Sequence, residues 1–218
     1  MPALVLDSSN IDQFSRALAR KDPRIGKLIR RVGPCTLQLG RQGDALTALV
    51  RSIVFQQLSG KAAATIFGRV LSLLPASSTP PTASDWLSLD AAELREAGLS
   101  RQKISYLSDL CNSVKDGRLD LGAVLEMPDD RLVEAIVGVK GFGTWSAQMF
   151  LLFHLGRADV WPYEDLGIRK AIASFDGLSE LPKPSEIKSR GNLWCPYRSL
   201  ASWYLWRLLD SGLGDVGW

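Results

Sequence analysis

The sequence predicts an all-α fold, and three observations support this prediction. Apolar residues recur at helical spacing in successive segments, as at Leu46, Leu49 and Ile53. Residues that favour helix starts precede these segments, with Asp44 before one and Ser59 before the next. The alternation at residues 37–39 is too short to indicate a strand.

The predicted helices begin near the N-terminus and continue through most of the chain. Before residue 139, helical spacing predicts helices over residues 11–19, 25–31, 44–58, 61–74 and 121–126. Ser100 is predicted to cap a further helix that ends at Gly117. The basic residues nearby are either phosphate contacts or an ordinary solvated face, and they are Arg101, Lys103 and Lys115.

Composition sets broad limits on the class of protein. The 218 residues suffice for one large domain or two small ones that share a core. A net charge of +3 permits nucleic-acid binding without arguing for it. Three widely spaced cysteines predict reduced thiols in an intracellular protein and exclude a four-cysteine iron–sulfur site. We expect no signal peptide, because the N-terminus lacks a charged start followed by an apolar run. We expect no membrane-spanning segment, because no apolar run approaches ~20 residues.

A glycine turn at residues 139–143 lies between two predicted helices. Gly141 and Gly143 allow unusual backbone angles and a close approach of the main chain to a ligand. Unpaired N–H groups at the following helix start can bind phosphate. Thr144 is predicted to cap that helix, whose apolar face is predicted to contain Trp145, Met149, Leu152 and Phe153. The alternative is an ordinary helix–helix turn with glycine caps.

Several spaced motifs occur in this sequence in the same order as in one known family. They are VRSIVFQQLSGKAA (50–63), GFGTW (141–145), DVWP (159–162), ED before LGIRKA (164–171) and WCPYRSLASWYLW (194–206). Together they resemble the helix-hairpin-helix DNA glycosylase superfamily, and within it the 3-methyladenine DNA glycosylase II branch. The resemblance extends over most of the chain from about Asp44 onward.

The resemblance implies a two-lobed helical fold with a cleft between the lobes. Residues 44–155 would form a central lobe with the helix-hairpin-helix. Residues 1–43 and 156–218 would form a second lobe carrying Asp165 in the cleft. The implied function is a base excision repair glycosylase that acts on duplex DNA containing alkylated bases, as an intracellular monomer without a membrane contact.

Asp165 is the implied catalytic residue. An N-alkylated purine is already cationic and leaves without a general acid, so one carboxylate that stabilises an oxocarbenium-like sugar suffices. The alternative is that Asp165 only caps a helix. The resemblance implies substrate contacts by Trp145, Tyr197 and Met149. The nearness of Trp161 to Asp165 in sequence suggests Trp161 as a further contact. The tryptophans predicted to be core or rim residues are Trp194, Trp203 and Trp206.

The resemblance also implies contacts with DNA. Leu58 would be a wedge that enters the base stack, and Gln57 would fill the gap left by the flipped base. The remaining implied DNA contacts are Gln56, Ser59, Lys140, Gly141, Gly143 and Thr144. Carbonyl groups of Val137, Val139 and Phe142 would hold a monovalent cation, sodium or potassium, and catalysis would need no cofactor. The alternative is that Leu58 packs in the core and both glutamines are surface residues.

Trp145 bears on the type of reaction. Relatives that also cleave the DNA backbone have a nucleophilic lysine at this position. Trp145 therefore predicts a monofunctional glycosylase without lyase activity. A non-catalytic helix-hairpin-helix protein that binds DNA structures is the alternative. The single histidine, His154, lies in a mostly apolar predicted helix, which indicates a structural role. No cysteine–histidine spacing is typical of a zinc site.

Overall fold

The computed structural model describes residues 4–39, 44–77 and 79–210. Their α-helices are α1 (Ile11–Lys21), α2 (Pro23–Val32), α3 (Ala45–Phe55), α4 (Gly60–Leu71), α5 (Ala83–Leu87), α6 (Ala91–Glu96), α7 (Arg101–Lys115), α8 (Asp129–Val137), α9 (Thr144–Met149), α10 (Leu166–Asp176), α11 (Pro184–Arg190) and α12 (Arg198–Asp210). A π-helical segment, Phe150–His154, follows α9, and a 3₁₀ turn, Gly191–Trp194, follows α11. The sole β pairing within the described ranges is an antiparallel bridge between Val5 and Arg157, so the all-α prediction is confirmed.

The chain divides into two compact units. The central unit is Gly40–Phe150, and the terminal unit is Met1–Leu39 with Leu151–Trp218. The interlobe cleft implied by the resemblance stays a prediction. None of the helices in the described part of the chain combines the length and the apolar character needed to cross a bilayer.

In the terminal unit, α12 packs against α2 and α10. Asp22 connects two parts of this core. One of its carboxylate oxygens accepts the N–H groups of Arg24 (2.9 Å) and Ile25 (3.4 Å), which caps α2. The other accepts the indole N–H of Trp194 at 2.9 Å. Trp194 is fully buried, which confirms its predicted core role.

In the central unit, α3 packs against α4 and α7. Its buried side chains include Leu49, Ile53 and Val54. The predicted cap is confirmed, because the Asp44 carboxylate accepts the N–H groups of Leu46 (3.0 Å) and Thr47 (3.1 Å).

The predicted C-terminal ends of α3 and α4 are wrong. Helix α3 ends at Phe55 rather than at residue 58, because the backbone leaves the helical region at Gln56 (ψ 131°). Ser59 caps α4 as predicted, and its hydroxyl accepts the Ala62 N–H at 3.4 Å. Helix α4 ends at Leu71, short of residue 74.

Two further predictions are wrong. Residues 121–126 form turns, because the Asp120 carboxylate accepts the nearby N–H groups of Gly122 and Ala123 and so competes with a helix. Helix α9 ends at Met149. The π-helical segment that follows adds a residue to each turn, so the predicted apolar face does not continue.

Candidate active site

Asp165 lies at the N-terminus of α10 in the terminal unit. Its Oδ1 accepts the backbone N–H of Ile168 at 2.8 Å, so Asp165 caps this helix. The same oxygen accepts the indole N–H of Trp206 at 3.0 Å. Two donors from different helices on one oxygen fix the orientation of the carboxylate, and the helix N-terminus stabilises its negative charge.

Gly167 allows Trp206 to reach this carboxylate. A Cβ atom at position 167 would lie 2.9 Å from Asp165 Oδ1 and 3.2 Å from Trp206 Cδ1. The Trp206 ring also stacks on Phe153, with centroids 5.9 Å apart and planes inclined by 20°. The indole is therefore held between an aromatic ring and the first turn of α10.

The sequence interpretation of Trp206 as a core or rim residue missed its contact with Asp165. The two residues are separated by 41 positions and lie on different helices. Helical periodicity within α12 carries no information about a partner on α10. Trp203, by contrast, is buried as predicted.

Trp161 and Tyr197 differ in how they are packed. Trp161 is 4% exposed, and its indole N–H donates to the Ile187 carbonyl at 2.9 Å. A Cβ atom at Gly191 would lie 2.4 Å from this nitrogen, so the ring is closely enclosed. These contacts account for Trp161 as a core residue. Tyr197 is partly exposed, and its ring centroid lies 5.2 Å from that of Phe14.

The glycine turn of the central unit contains two glycines in different surroundings. Gly141 has φ +87°, and a Cβ atom there would lie 2.2 Å from Cδ2 of Tyr106. Gly143 is exposed, and a Cβ atom there would meet nothing within 4 Å. The Lys140 N–H donates to Asp109 Oδ2 at 2.8 Å. The turn is thus held closely on one side and open at Gly143.

The residues after the turn correct one prediction. Gly143, in extended conformation, is the N-cap of α9, and Thr144 is the first helical residue. The predicted side-chain cap by Thr144 is wrong, since α9 has no side-chain cap hydrogen bond. Trp145 is 46% exposed, and Met149 is partly exposed. Three residues were implied to hold a cation through their carbonyl groups. Of these, Val139 and Phe142 are buried, whereas Val137 is exposed.

Residues 56–59 form a polar break between α3 and α4, and this break has an unusual backbone. Gln57 has φ 56°, the one positive φ at a non-glycine residue within the described ranges. Leu58 is 41% exposed, which contradicts the interpretation that it packs in the core. Gln56 donates from its side-chain amide to the Gly141 carbonyl at 2.8 Å. Ser59, besides capping α4, is exposed. The break and the glycine turn are therefore in direct contact.

Comparison with known proteins identifies the family. A family model described as HhH-GPD superfamily base excision DNA repair protein matches residues 50–196. The chain belongs to the HhH-GPD superfamily. The matched range contains the polar break, the glycine turn and Asp165, whereas Tyr197 and Trp206 lie beyond it.

HhH-GPD relatives match nearly the whole chain. The alkylbase DNA glycosidase-like protein mag2 of Schizosaccharomyces pombe is 27% identical over 201 residues, which cover 92% of this chain and 94% of the relative. The crystal structure of a DNA-3-methyladenine glycosidase from Bacillus halodurans has a TM-score of 0.83 and 30% identity, covering 99% of this chain and 95% of that one. The 3-methyladenine DNA glycosylase Mag1 of S. pombe, solved with abasic DNA, has a TM-score of 0.75 and 27% identity, covering 91% and 97%.

The described residues also bear on two other kinds of catalytic site, namely metal centres and reactive thiols. Within the described residues, no group of three or more histidine, cysteine or acidic side chains is placed to hold a metal ion. The three cysteines are free thiols. Burial raises the pKa of the Cys35 thiol to about 11 and that of Cys111 to about 12, so neither is activated as a nucleophile.

Proposed function

We propose that this protein is a monofunctional DNA glycosylase that excises alkylated purines, such as 3-methyladenine, from duplex DNA by base flipping. The observation that supports the chemistry most directly is the Asp165 carboxylate, oriented by Ile168 and Trp206 through one oxygen. Membership of a base excision repair family supports DNA as the substrate. Relatives named for 3-methyladenine and alkylated bases support the choice of lesion.

Asp165 would act electrostatically in the bond-breaking step. The bond between C1′ and the alkylated purine breaks, and its electron pair neutralises the cationic base, which leaves without protonation. The positive charge that develops at C1′ is stabilised by the Asp165 carboxylate. A water oxygen then bonds to C1′, and the proton of that water passes to solvent. A fixed carboxylate stabilises the transition state without having to reorient during the reaction.

The flipped base would be bound by aromatic side chains. A cationic purine is attracted to electron-rich ring faces by roughly 0.5–2 kcal/mol per contact. The resemblance assigns this role to Trp145 and Tyr197, with Met149 as a further contact. Trp145 supports the assignment by its exposure, because 46% of this large aromatic side chain is accessible to solvent. The core position of Trp161 removes it from this proposal.

The polar break and the glycine turn would bind the DNA itself. The exposed Leu58 is suited to enter a base stack, and Gln57, Gln56 and Ser59 accompany it on the same surface segment. The open surroundings of Gly143 leave room for a phosphate beside the main chain. The other proposed contacts of the turn are Lys140, Gly141 and Thr144.

A monovalent cation is proposed at carbonyl groups of the turn. The Val139 carbonyl accepts the Phe142 N–H at 3.2 Å, which leaves a second lone pair for another partner. Val137 and Phe142 would supply the other carbonyls. Neutral carbonyl oxygens suit a hard cation, so the donor set fits sodium or potassium. Such a cation would add positive charge between the turn and a DNA phosphate.

The absence of lyase activity is proposed from Trp145, which cannot form a Schiff base with the sugar. Borohydride treatment of the protein with an alkylated duplex tests this directly. We expect no covalent protein–DNA adduct, whereas a bifunctional glycosylase of known activity is trapped in the same assay. An adduct on any lysine would contradict the proposal.

Base release from defined substrates tests the proposed function. Duplexes that contain 3-methyladenine, 7-methylguanine or no lesion are incubated with the protein, and free bases are separated by chromatography. We expect release of the alkylated purines and of no normal base. DNA binding without release of a base from any duplex would support the non-catalytic alternative and overturn the proposal.

A further inference from the structure

Lys103 lies in the first turn of α7, and its ammonium contacts the end of α3. The Nζ atom donates to the Val54 carbonyl at 2.8 Å and to the Gln56 carbonyl at 2.7 Å. Carbonyl groups at a helix end have no partner within the helix, and a cation there is electrostatically favourable. The backbone N–H of Lys103 donates to the Ser100 hydroxyl at 3.2 Å, so hydrogen bonds hold both its main chain and its ammonium group.

This position differs from both roles that the sequence suggests for Lys103. Two of the three ammonium donors are directed to main-chain carbonyls, so Lys103 is neither simply a phosphate contact nor simply part of a solvated face. Burial also lowers the pKa of Lys103, which agrees with an ammonium directed into the protein.

One of the two carbonyls bonded by Lys103 belongs to Gln56, the residue before the strained position. Gln57 follows Gln56 with φ 56°, a region that residues with a Cβ atom rarely adopt. Such a conformation persists only where the surrounding contacts hold it. The exposed Leu58 comes next, so the direction of its side chain depends on the backbone at Gln57.

The same helix also supports the glycine turn. The Tyr106 ring occupies the space beside Gly141, and Asp109 accepts the Lys140 N–H. The Gln56 side chain in turn donates to the Gly141 carbonyl. Helix α7 therefore holds the end of α3 through Lys103 and holds the glycine turn through two residues of its next turns.

We propose that Lys103 is a positioning residue that holds Gln57 and Leu58 in the conformation in which they enter the DNA base stack. The inference rests on the proposed function and adds a residue that acts through the main chain and does not contact DNA. A segment held in its bound conformation before binding has less to reorganise when a base is displaced. Loss of Lys103 should therefore impair base displacement more than it impairs binding to DNA.

The test compares Lys103→Met with Lys27→Met, which removes the same charge from an exposed position on α2. The probe is a duplex with 2-aminopurine beside a tetrahydrofuran abasic analogue, whose fluorescence rises when the base is unstacked. We expect Lys103→Met to reduce the fluorescence change at saturating protein and to slow single-turnover base release roughly 10-fold or more, the scale of lost hydrogen bonds to a charged group. Lys27→Met should match the unaltered protein.

The salt dependence of binding separates positioning from phosphate contact. Each lost phosphate contact lowers the slope of log affinity against log salt by about 1. We expect the slope of Lys103→Met to equal that of the unaltered protein. A slope lowered by about 1, with a normal fluorescence change, would show that Lys103 contacts phosphate and would overturn the inference.

A double mutant tests whether Lys103 acts through the wedge. In a Leu58→Ala background, Lys103→Met should have no further effect on the fluorescence change, and Lys103→Arg should restore most of it in the parent background. Additive effects of Lys103→Met and Leu58→Ala would contradict the inference. If Lys103→Met is unfolded by circular dichroism, Lys103→Gln, which retains two amide hydrogens, takes its place in every comparison.

The outcomes also distinguish this inference from the proposed function. An unaltered protein that neither unstacks the probe nor releases a base overturns both. An active unaltered protein whose Lys103→Met variant behaves like Lys27→Met overturns the role of Lys103 alone.

Discussion

At the residue scale, Gly141 and Gly143 lie two positions apart and serve different purposes. Gly141 combines a positive φ with a neighbouring ring, so that neither its backbone angle nor its surroundings accept a side chain. Gly143 has ordinary backbone angles and open space around it. The first glycine is thus required by the fold, whereas the second is available for an approaching ligand.

Substitution of each glycine by alanine separates these purposes. Gly141→Ala should lower the free energy of unfolding by at least about 2 kcal/mol, since strain at positive φ adds to the contact with Tyr106. Gly143→Ala should change it by less than about 0.5 kcal/mol and yet weaken binding to duplex DNA. Urea unfolding and fluorescence anisotropy measure the two quantities. Normal stability of Gly141→Ala would contradict the account of this turn.

The space at Gly167 limits where the candidate catalytic carboxylate can lie. In Gly167→Ala the added methyl group would displace Asp165 Oδ1, which lies 2.9 Å away. We expect base release at saturating DNA to fall roughly 10-fold or more, since small displacements of reacting groups are costly. DNA affinity should change little. Gly68→Ala, in open space on α4, is the matched control and should keep full activity. Unchanged release by Gly167→Ala would contradict the claim that base release depends on the exact position of the Asp165 carboxylate.

At the element scale, helix starts were more predictable from the sequence than helix ends. Asp44 and Ser59 cap their helices because the bonds they make lie within three residues, and a local pattern can indicate them. The contact at the end of α3 is distant in sequence, because the Gln56 carbonyl accepts the ammonium of Lys103, 47 positions away. The π-helical segment after α9 likewise has no local signal, and so the predicted continuous apolar face failed there.

Asp44 offers a direct test of one predicted element. Asp44→Ala should lower the free energy of unfolding by about 1 kcal/mol, because two N–H groups at the start of α3 lose their acceptor. Asp44→Asn retains an acceptor and should be close to the unaltered protein. Urea unfolding monitored by tryptophan fluorescence provides the comparison. An alanine variant as stable as the unaltered protein would show that the cap contributes nothing measurable.

At the scale of the whole molecule, ordered motifs allowed the family and the helical class to be predicted, and both are confirmed. The candidate catalytic residue followed from the same motifs and stays a prediction. What supports that residue was not predictable, because Trp206 reaches Asp165 only in the folded chain and the need for glycine at position 167 arises from that contact. Trp161 shows the converse, since its nearness to Asp165 in sequence suggested a pocket and the fold buries it instead.

The comparison of Asp165→Asn with the unaltered protein tests the central claim most directly. Asparagine keeps an oxygen acceptor for Ile168 and Trp206 but removes the charge, so the fold and DNA binding should persist. Single-turnover release of 3-methyladenine and binding to an abasic-analogue duplex are measured side by side. The account predicts that release falls by about 10²-fold or more while affinity for the duplex is retained. Release by Asp165→Asn at the rate of the unaltered protein would contradict it.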